Sequence, residues 1–555
     1  MRKRIRLPKR NPKMNKPQRI KTKITVNAQG AQASRDDAFD LVWRPLPGGN
    51  GASTVLHLKR GLHGTVESAT ASVRLSDMEN ARIFMNGYQT WTFCPEYTAK
   101  DRMKSLNRVP QKIVDKFGLD RYGDYHFIDY PNGKGAFIGE SYCYFREGDR
   151  FLLFASLDER CGYTVFRYTA EDQTLTVRRD CEGLEVDGDF DALRLFIAEG
   201  TENAVFDAWF LEMGVSPITS VPLTGYSSWY NRYQNISEES IMTDLAGCGK
   251  VMRGGELFQI DDGWEPFVGD WLECDPVKFP NGMRRVSDAI HQKGYKAGLW
   301  LAPFVAEKNS KLYAEHPDWF YTVDGEPWSC GGNWSGFYSL DIDNPDVVSY
   351  LEEVFRLVFD VWNYDLVKLD FLYGAAPFGS SRETRAGRMI RAMKLLRRLC
   401  GSHPILGCGV PLMPAFGLVE YCRISCDVSL DWDDKPWMRF IHRERISTRQ
   451  AMLNTVFRRE LNGRAFMSDP DVFFLREKNI HMSKEKKLKL ATINALFGGV
   501  FMTSDNIGEY DGIALSYYRK LNALRNASVT GVTVEGKTVT VSYNTGKAEK
   551  TISFK

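Results

Sequence analysis

An alternation of two kinds of segment between residues 216 and 509 constrains this chain more than any other feature. Short apolar runs at 223–230, 257–264, 296–304, 366–373, 404–410, 421–428, 463–468 and 498–504 are separated by stretches of helical periodicity at 237–252, 283–293, 345–362, 383–400, 445–461 and 484–496. Eight strands with helices between them predict an α/β fold, a closed (β/α)8 TIM barrel. Before it, from 24 to 215, alternating runs such as Tyr142–Phe145, Phe151–Ala155 and Leu193–Ile197 are divided by Gly, Asn and Asp turns, which predicts an N-terminal antiparallel β-sandwich domain. After it, in 510–555, Val532–Glu535 and Val539–Tyr543 flank Gly536 and predict a small C-terminal β appendage.

Composition narrows the function classes. With 555 residues, 43% of them hydrophobic and 13% aromatic, the chain can fill a large core and an accessory domain. The net charge of +3 comes from one end: residues 1–23 hold eleven Lys or Arg and no acid, which leaves −8 for the remainder. We expect this basic leader to be disordered. An acidic body argues against an extended nucleic-acid-binding face. The leader has no apolar h-region, and no later stretch approaches ~18 uninterrupted apolar residues, so neither export nor a membrane partner is expected. Eleven cysteines, an odd number without a CxxC pair, fit a reducing compartment, and a cytoplasmic protein is expected.

Two carboxylates stand at strand ends. Leu366–Tyr373 (LVKLDFLY) carries Lys368 and Asp370, and Tyr421–Asp427 (YCRISCD) ends in Asp427. Residues i and i+2 of a strand face the same way, so Lys368 is expected to hold Asp370 ionised. Two carboxylates of unequal pKa point to glycosidic bond chemistry. Taken singly, each aspartate could equally cap the helix that follows. The other polar and aromatic residues at strand ends, Trp229, Asp261, Asp262, Trp300, Cys408 and Arg423, favour one cleft at the C-terminal face of the barrel. Each has a structural alternative: Asp-Asp-Gly is good turn chemistry, Trp300 suits a core, and Cys408 suits a small buried hydrophobe. Asp469, Asp471 and Asp505 read as supporting or capping groups.

Five motifs in order, Gln259–Trp264 (QIDDGW), Gly298–Phe304 (GLWLAPF), Val367–Leu372 (VKLDFL), Gly407–Leu412 (GCGVPL) and Arg423–Asp427 (RISCD), resemble glycoside hydrolase family 36, the retaining α-galactosidases and α-N-acetylgalactosaminidases. Asn86–Trp91 (NGYQTW) resembles the loop that the family's N-terminal β-domain inserts over the sugar. The resemblance implies Asp370 as nucleophile, Asp427 as general acid/base, and Lys368 at the C3 and C4 hydroxyls of galactose. It implies Asp261 and Asp262 at O4 and O6, Arg423 at O2 and beside the acid, and Trp91, Trp229, Trp300 and Cys408 around the sugar. A small carbohydrate substrate is implied, with no cofactor and no metal. Gly409 is expected to leave room beside O2, where galactose and its 2-acetamido form differ. A transglycosylase of the same family differs only in whether water or a sugar takes the intermediate. Two rivals lie outside the family. A metal-dependent barrel isomerase or lyase would use Asp261, Asp262 and Asp370 as ligands, but the neighbouring lysine opposes a cation. A non-catalytic sugar-binding protein would be expected to lack one of the carboxylates.

Overall fold

The computed structural model describes residues 20–28, 31–33, 39–46, 51–58, 63–187, 190–433 and 444–555. Residues 1–19 of the expected leader lie outside the described residues, and the first strand, Ile20–Ala28, begins before the leader's expected end.

Two antiparallel sheets, of six and seven strands, form the N-terminal sandwich. Along Tyr142–Glu147 and Arg150–Ser156 of the larger sheet both faces are covered, which is why these two strands read as continuous apolar runs. Along Arg150–Ser156, Leu152 and Phe154 enter the core between the sheets, whereas Phe151, Leu153 and Ala155 enter a second core shared with the barrel. Tyr142 and Tyr144 join that second core, and Cys143 and Phe145 the first. The second face is covered partly by a helix, Glu202–Met213, that the sandwich expectation did not include. Its buried residues, Val205, Phe206, Trp209 and Phe210, recur with helical spacing, and Gly214, at φ 66°, ends it in the left-handed conformation.

The eight expected barrel strands are all present: Leu223–Ser227, Leu257–Ile260, Lys296–Leu301, Leu366–Leu369, Ile405–Gly407, Tyr421–Arg423, Met467–Asp469 and Val500–Thr503. Seven parallel pairings join them into one sheet whose last strand lies beside the first. The seventh and eighth strands meet where the Gly499 amide donates to the Ser468 carbonyl at 2.9 Å. Most strands stop earlier than the apolar runs do. The continuation of each run leaves the ladder and lines the C-terminal mouth with loop residues, among them Asp261, Asp370 and Asp427.

The helices fall where periodicity places them, at Glu238–Cys248, Gly282–Gln292, Pro345–Arg356, Arg385–Cys400, Thr448–Phe457 and Lys484–Phe497. In Gly282–Gln292 the buried set Met283, Val286, Ser287 and Ile290 is one helical stripe facing the strands. Between the fifth and sixth strands there is only the short turn Leu412–Ala415. Between the third strand and its helix, a three-stranded sheet (Val305–Glu307, Ser329–Gly331, Phe337–Ser339) rises over the mouth. The C-terminal segment begins with another helix, Gly512–Leu524, where a β element was expected. Its Tyr518 ring lies 6.1 Å from Phe473 and 6.3 Å from Phe501, so it packs on the barrel. A three-stranded antiparallel sheet, Ser528–Glu535, Thr538–Asn544 and Glu549–Phe554, follows. Among the described residues no helix is long and apolar enough to cross a membrane.

Candidate active site

Asp370 follows the fourth strand directly, and its amide still donates to Leu301 of the third at 2.9 Å. Phe371 then turns left-handed at φ 51°, a conformation that costs a bulky residue energy. That turn brings the Phe371 amide back onto Asp370 Oδ1 at 2.8 Å, while the Trp300 indole donates to Asp370 Oδ2 at 3.2 Å. The carboxylate is thus fixed by two donors and buried to 8% exposure. Trp300 is itself almost wholly buried, so it supports Asp370 from below.

Lys368 does not bond Asp370 as its strand position suggests. Its ammonium donates to Asp261 Oδ2 at 2.9 Å. Burial alone would lower the lysine pKa, but the carboxylates of Asp261 and then Asp370 outweigh it and raise it, so Lys368 is charged. Asp261 Oδ2 also accepts from Gln259 Nε2 at 2.8 Å, and its amide is held by Ser228 Oγ at 2.9 Å. Asp262 Oδ2 accepts from Gln234 Nε2 and from the Trp334 indole, both at 3.0 Å. Burial raises the Asp262 carboxyl, and the Asp261 charge adds to the rise, against hydrogen bonding from Glu265, Trp334 and Gln234. Glu265, buried beside it, is pushed well above the usual carboxylate range by burial and by the Asp262 charge.

Asp427 stands four residues past the sixth strand, its side chain about a third exposed to the cleft. Its Oδ1 accepts from Arg423 Nη2 at 2.8 Å, and the same nitrogen reaches Asp471 Oδ2 at 2.8 Å. Asp471 Oδ2 also accepts from the Tyr230 hydroxyl at 2.6 Å and the Val428 amide at 2.8 Å. Enclosure by the cleft walls pushes the Asp427 carboxyl up to about 6; Arg423 opposes this, and the Asp471 and Asp370 carboxylates add to it. Asp427, Asp370, Lys368 and Arg423 therefore sit within one electrostatic site.

The Asn86–Trp91 loop does reach the barrel mouth. The Thr90 amide donates to Val410 O at 3.1 Å and the Gly409 amide to Thr90 Oγ1 at 2.9 Å, while Arg458 holds the carbonyls of Gly87, Gln89 and Thr90. Trp91 Nε1 donates to Cys408 Sγ at 3.3 Å, and its ring lies edge-on to Phe371 at 5.0 Å. Cys408 is buried, and burial keeps its thiol protonated. At Gly409, with φ 58°, a Cβ would come within 2.9 Å of both the Trp91 ring and the Phe371 amide. The space beside it is filled by Trp91. Trp229 lies on the turn Trp229–Arg232, its ring 5.2 Å from Tyr233.

Asp469 and Asp471 do support the site, since both lie against Arg423, whereas Asp505 accepts from Leu475, Arg476 and Tyr510 instead. Trp334 and Glu265 are among the residues that motif reading missed. Trp334 sits in an insertion outside the strand–helix rhythm, and only its Trp- and Gly-rich surroundings at 328–336 mark it. Glu265 follows QIDDGW directly but shows its role only once folded.

Comparison with known proteins agrees with this architecture. A family model described as Melibiase matches residues 225–397. The α-galactosidase AgaA of Geobacillus stearothermophilus is 29% identical over 192 residues, covering 32% of this chain and 26% of that protein. An A type blood α-D-galactosamine galactosaminidase of Flavonifractor plautii is 35% identical over 130 residues, covering 22% of this chain and 12% of that protein. These alignments span about a quarter or less of the curated relatives' own length. In structure, TtGalA, an α-galactosidase from Thermus thermophilus in complex with p-nitrophenyl α-D-galactopyranoside, superposes with a TM-score of 0.71 at 25% identity, covering 92% of this chain and 98% of that one. In sequence and in fold the chain is similar to the α-galactosidases of glycoside hydrolase family 36.

Proposed function

We propose that the protein is a retaining, exo-acting α-galactosidase that releases terminal α-linked galactose from oligosaccharides or glycoconjugates. The observation that carries this reading is the contrast between two carboxylates in one cleft. Asp370 is clamped by Trp300 and the Phe371 amide and faces the charged Lys368; Asp427 is raised to about 6 beside Arg423. One is prepared to attack and the other to hold a proton, the division of labour that glycoside hydrolysis requires.

In this mechanism Asp370 attacks C1 while Asp427 protonates the departing glycosidic oxygen, and the C1–O bond breaks. Water, deprotonated by Asp427, then hydrolyses the glycosyl ester. Asp261 and Asp262 would accept hydrogen bonds from the axial O4 and the neighbouring exocyclic O6, an edge that an equatorial O4 would not match. Arg423 holds Asp427 in place and would reach O2. No step of this scheme uses a metal, and the charged Lys368 against Asp261 Oδ2 opposes a cation there.

Trp91 beside Gly409 favours galactose over the 2-acetamido sugar, because the room expected there is filled by an indole. The odd cysteine count supports a cytoplasmic site of action, which cell fractionation would test. The decisive assay compares hydrolysis of 4-nitrophenyl α-galactoside, α-N-acetylgalactosaminide and α-glucoside by the purified protein, with and without EDTA. Galactoside turnover that survives EDTA, with a β-configured intermediate trapped on Asp370, is the expected result. Preference for either other sugar, or loss of turnover with EDTA, overturns the reading.

A further inference from the structure

We infer that Tyr122, in the N-terminal domain, is a positioning residue for the sugar-edge carboxylate Asp262, acting through the hairpin that carries Trp334. Trp334 stands at a hairpin tip between the strands Ser329–Gly331 and Phe337–Ser339, and its indole donates to Asp262 Oδ2 at 3.0 Å. The same ring lies 5.0 Å from Phe371, next to Asp370, and 6.2 Å from Trp300, which bonds Asp370. A half-buried residue on an inserted loop thus touches both ends of the site.

A tip of this kind has little reason to hold one position by itself. Gly332 and Asn333 are exposed, Trp334 is left-handed at φ 52°, and the hairpin carries a register shift between Ser329 and Gly331. Two clamps fix it. On the barrel side, Glu307 Oε2 accepts from Ser335 Oγ at 2.7 Å and from the Ser335 amide at 3.2 Å, the Asn309 amide donates to Ser335 Oγ at 3.1 Å, and the Lys308 amide donates to the Gly336 carbonyl at 2.9 Å. From the other domain, the Tyr122 hydroxyl donates to Asn333 Oδ1 at 2.6 Å and accepts from the Gly332 amide at 2.9 Å.

The contact is shaped as well as bonded. The Tyr122 ring packs against Gly331, where a Cβ would come within 2.6 Å of it, and lies 6.3 Å from Phe337. One residue earlier, the Arg121 guanidinium sits 4.2 Å over the Trp328 ring on the hairpin stem. Residues 121–122 therefore grip both stem and tip. The N-terminal domain enters the site twice, directly through Trp91 and indirectly through Tyr122. Without the Tyr122 hydroxyl, residues 335–336 keep their bonds to Glu307, Lys308 and Asn309, but residues 332–334 lose their hold on the other side, and the Trp334–Asp262 bond is made only part of the time.

The activity readout rests on the galactosidase reading; the structural readout does not. Tyr122→Phe, which removes the hydroxyl and keeps the ring, is compared with Trp334→Phe and the double variant. On 4-nitrophenyl α-galactoside, Tyr122→Phe should lower kcat/KM by about 5- to 20-fold, and in the Trp334→Phe background it should change it less than about 2-fold, since both act through one bond. In parallel, amide hydrogen exchange at 331–336 should quicken in Tyr122→Phe with thermal stability unchanged. Multiplicative losses, or exchange unaltered in Tyr122→Phe, refute the linkage. If the parent protein hydrolyses no galactoside, the functional reading fails, and the exchange result still decides whether Tyr122 holds the hairpin.

Discussion

Asp471 offers a way to test the electrostatics of the site without touching either proposed catalytic carboxylate. Asp427 is raised from 3.8 to about 6, with the Asp471 carboxylate among the groups that raise it. A general acid must carry its proton, so kcat/KM should fall as pH rises through about 6. At pH 5 nearly all molecules hold the proton, and at pH 7 about one in ten does. Asp471→Asn removes a negative charge but keeps an oxygen to accept from the Tyr230 hydroxyl, the Val428 amide and Arg423. Loss of the negative neighbour leaves Arg423 less neutralised, and both changes favour ionised Asp427. The sign is therefore downward: the basic limb should move to lower pH by on the order of half a unit to one unit. That corresponds to roughly 0.7–1.4 kcal/mol between protonation states. The assay is the pH profile of kcat/KM on a substrate with a poor leaving group, which needs the proton. An activated aryl galactoside should show a weaker limb. A limb that stays put, or moves upward, would remove Asp427 from the acid role or Asp471 from its electrostatics.

Asp370→Ala should abolish turnover with the fold intact, and added azide should restore some activity while β-galactosyl azide accumulates; substantial hydrolysis without azide would end the nucleophile assignment. Asp262→Asn should cost roughly 2–4 kcal/mol in kcat/KM on galactosides and much less on the 6-deoxy or 4-deoxy analogue that lacks its partner hydroxyl. Equal losses on all three would favour a purely structural turn at Asp261 and Asp262. Gly409→Ala places a Cβ at φ 58° within 2.9 Å of the Phe371 amide, so it should destabilise the protein by about 1–3 kcal/mol in urea unfolding and disturb Trp91. Unchanged stability there would mean that Trp91 does not fill that space in solution.

The barrel was legible because strand runs and helical stripes have different periods, and the chain keeps them distinct for almost its whole middle. The strand ends were less so. The apolar run 366–373 continues through Asp370 into Phe371–Tyr373, yet the ladder stops at Leu369 because Phe371 turns left-handed to close onto its neighbour's carboxylate. Periodicity cannot see that turn, since phenylalanine has no local preference for it. The helix Glu202–Met213 was obscured differently. It follows a strand without a break and buries its apolar stripe against a sheet face that would otherwise meet solvent.

Motifs single out the candidate site residues but not their couplings, and the difference is physical. Strand alternation places Lys368 on the side of Asp370, and in that it is right: the two charges do act on each other. Yet a long side chain can reach a better acceptor across the barrel, and Asp261, offered by the second strand, supplies it at 2.9 Å. Local spacing fixes which face a side chain leaves from; tertiary distance fixes which carboxylate it meets. The same limit hid Trp334, whose partner Asp262 lies 72 positions away. It also bears on Gly409, whose missing Cβ faces a tryptophan from another domain rather than open space. Emptiness at a glycine is a property of the whole fold, so specificity beside O2 cannot be assigned from the fifth-strand motif without the Asn86–Trp91 loop that closes over it.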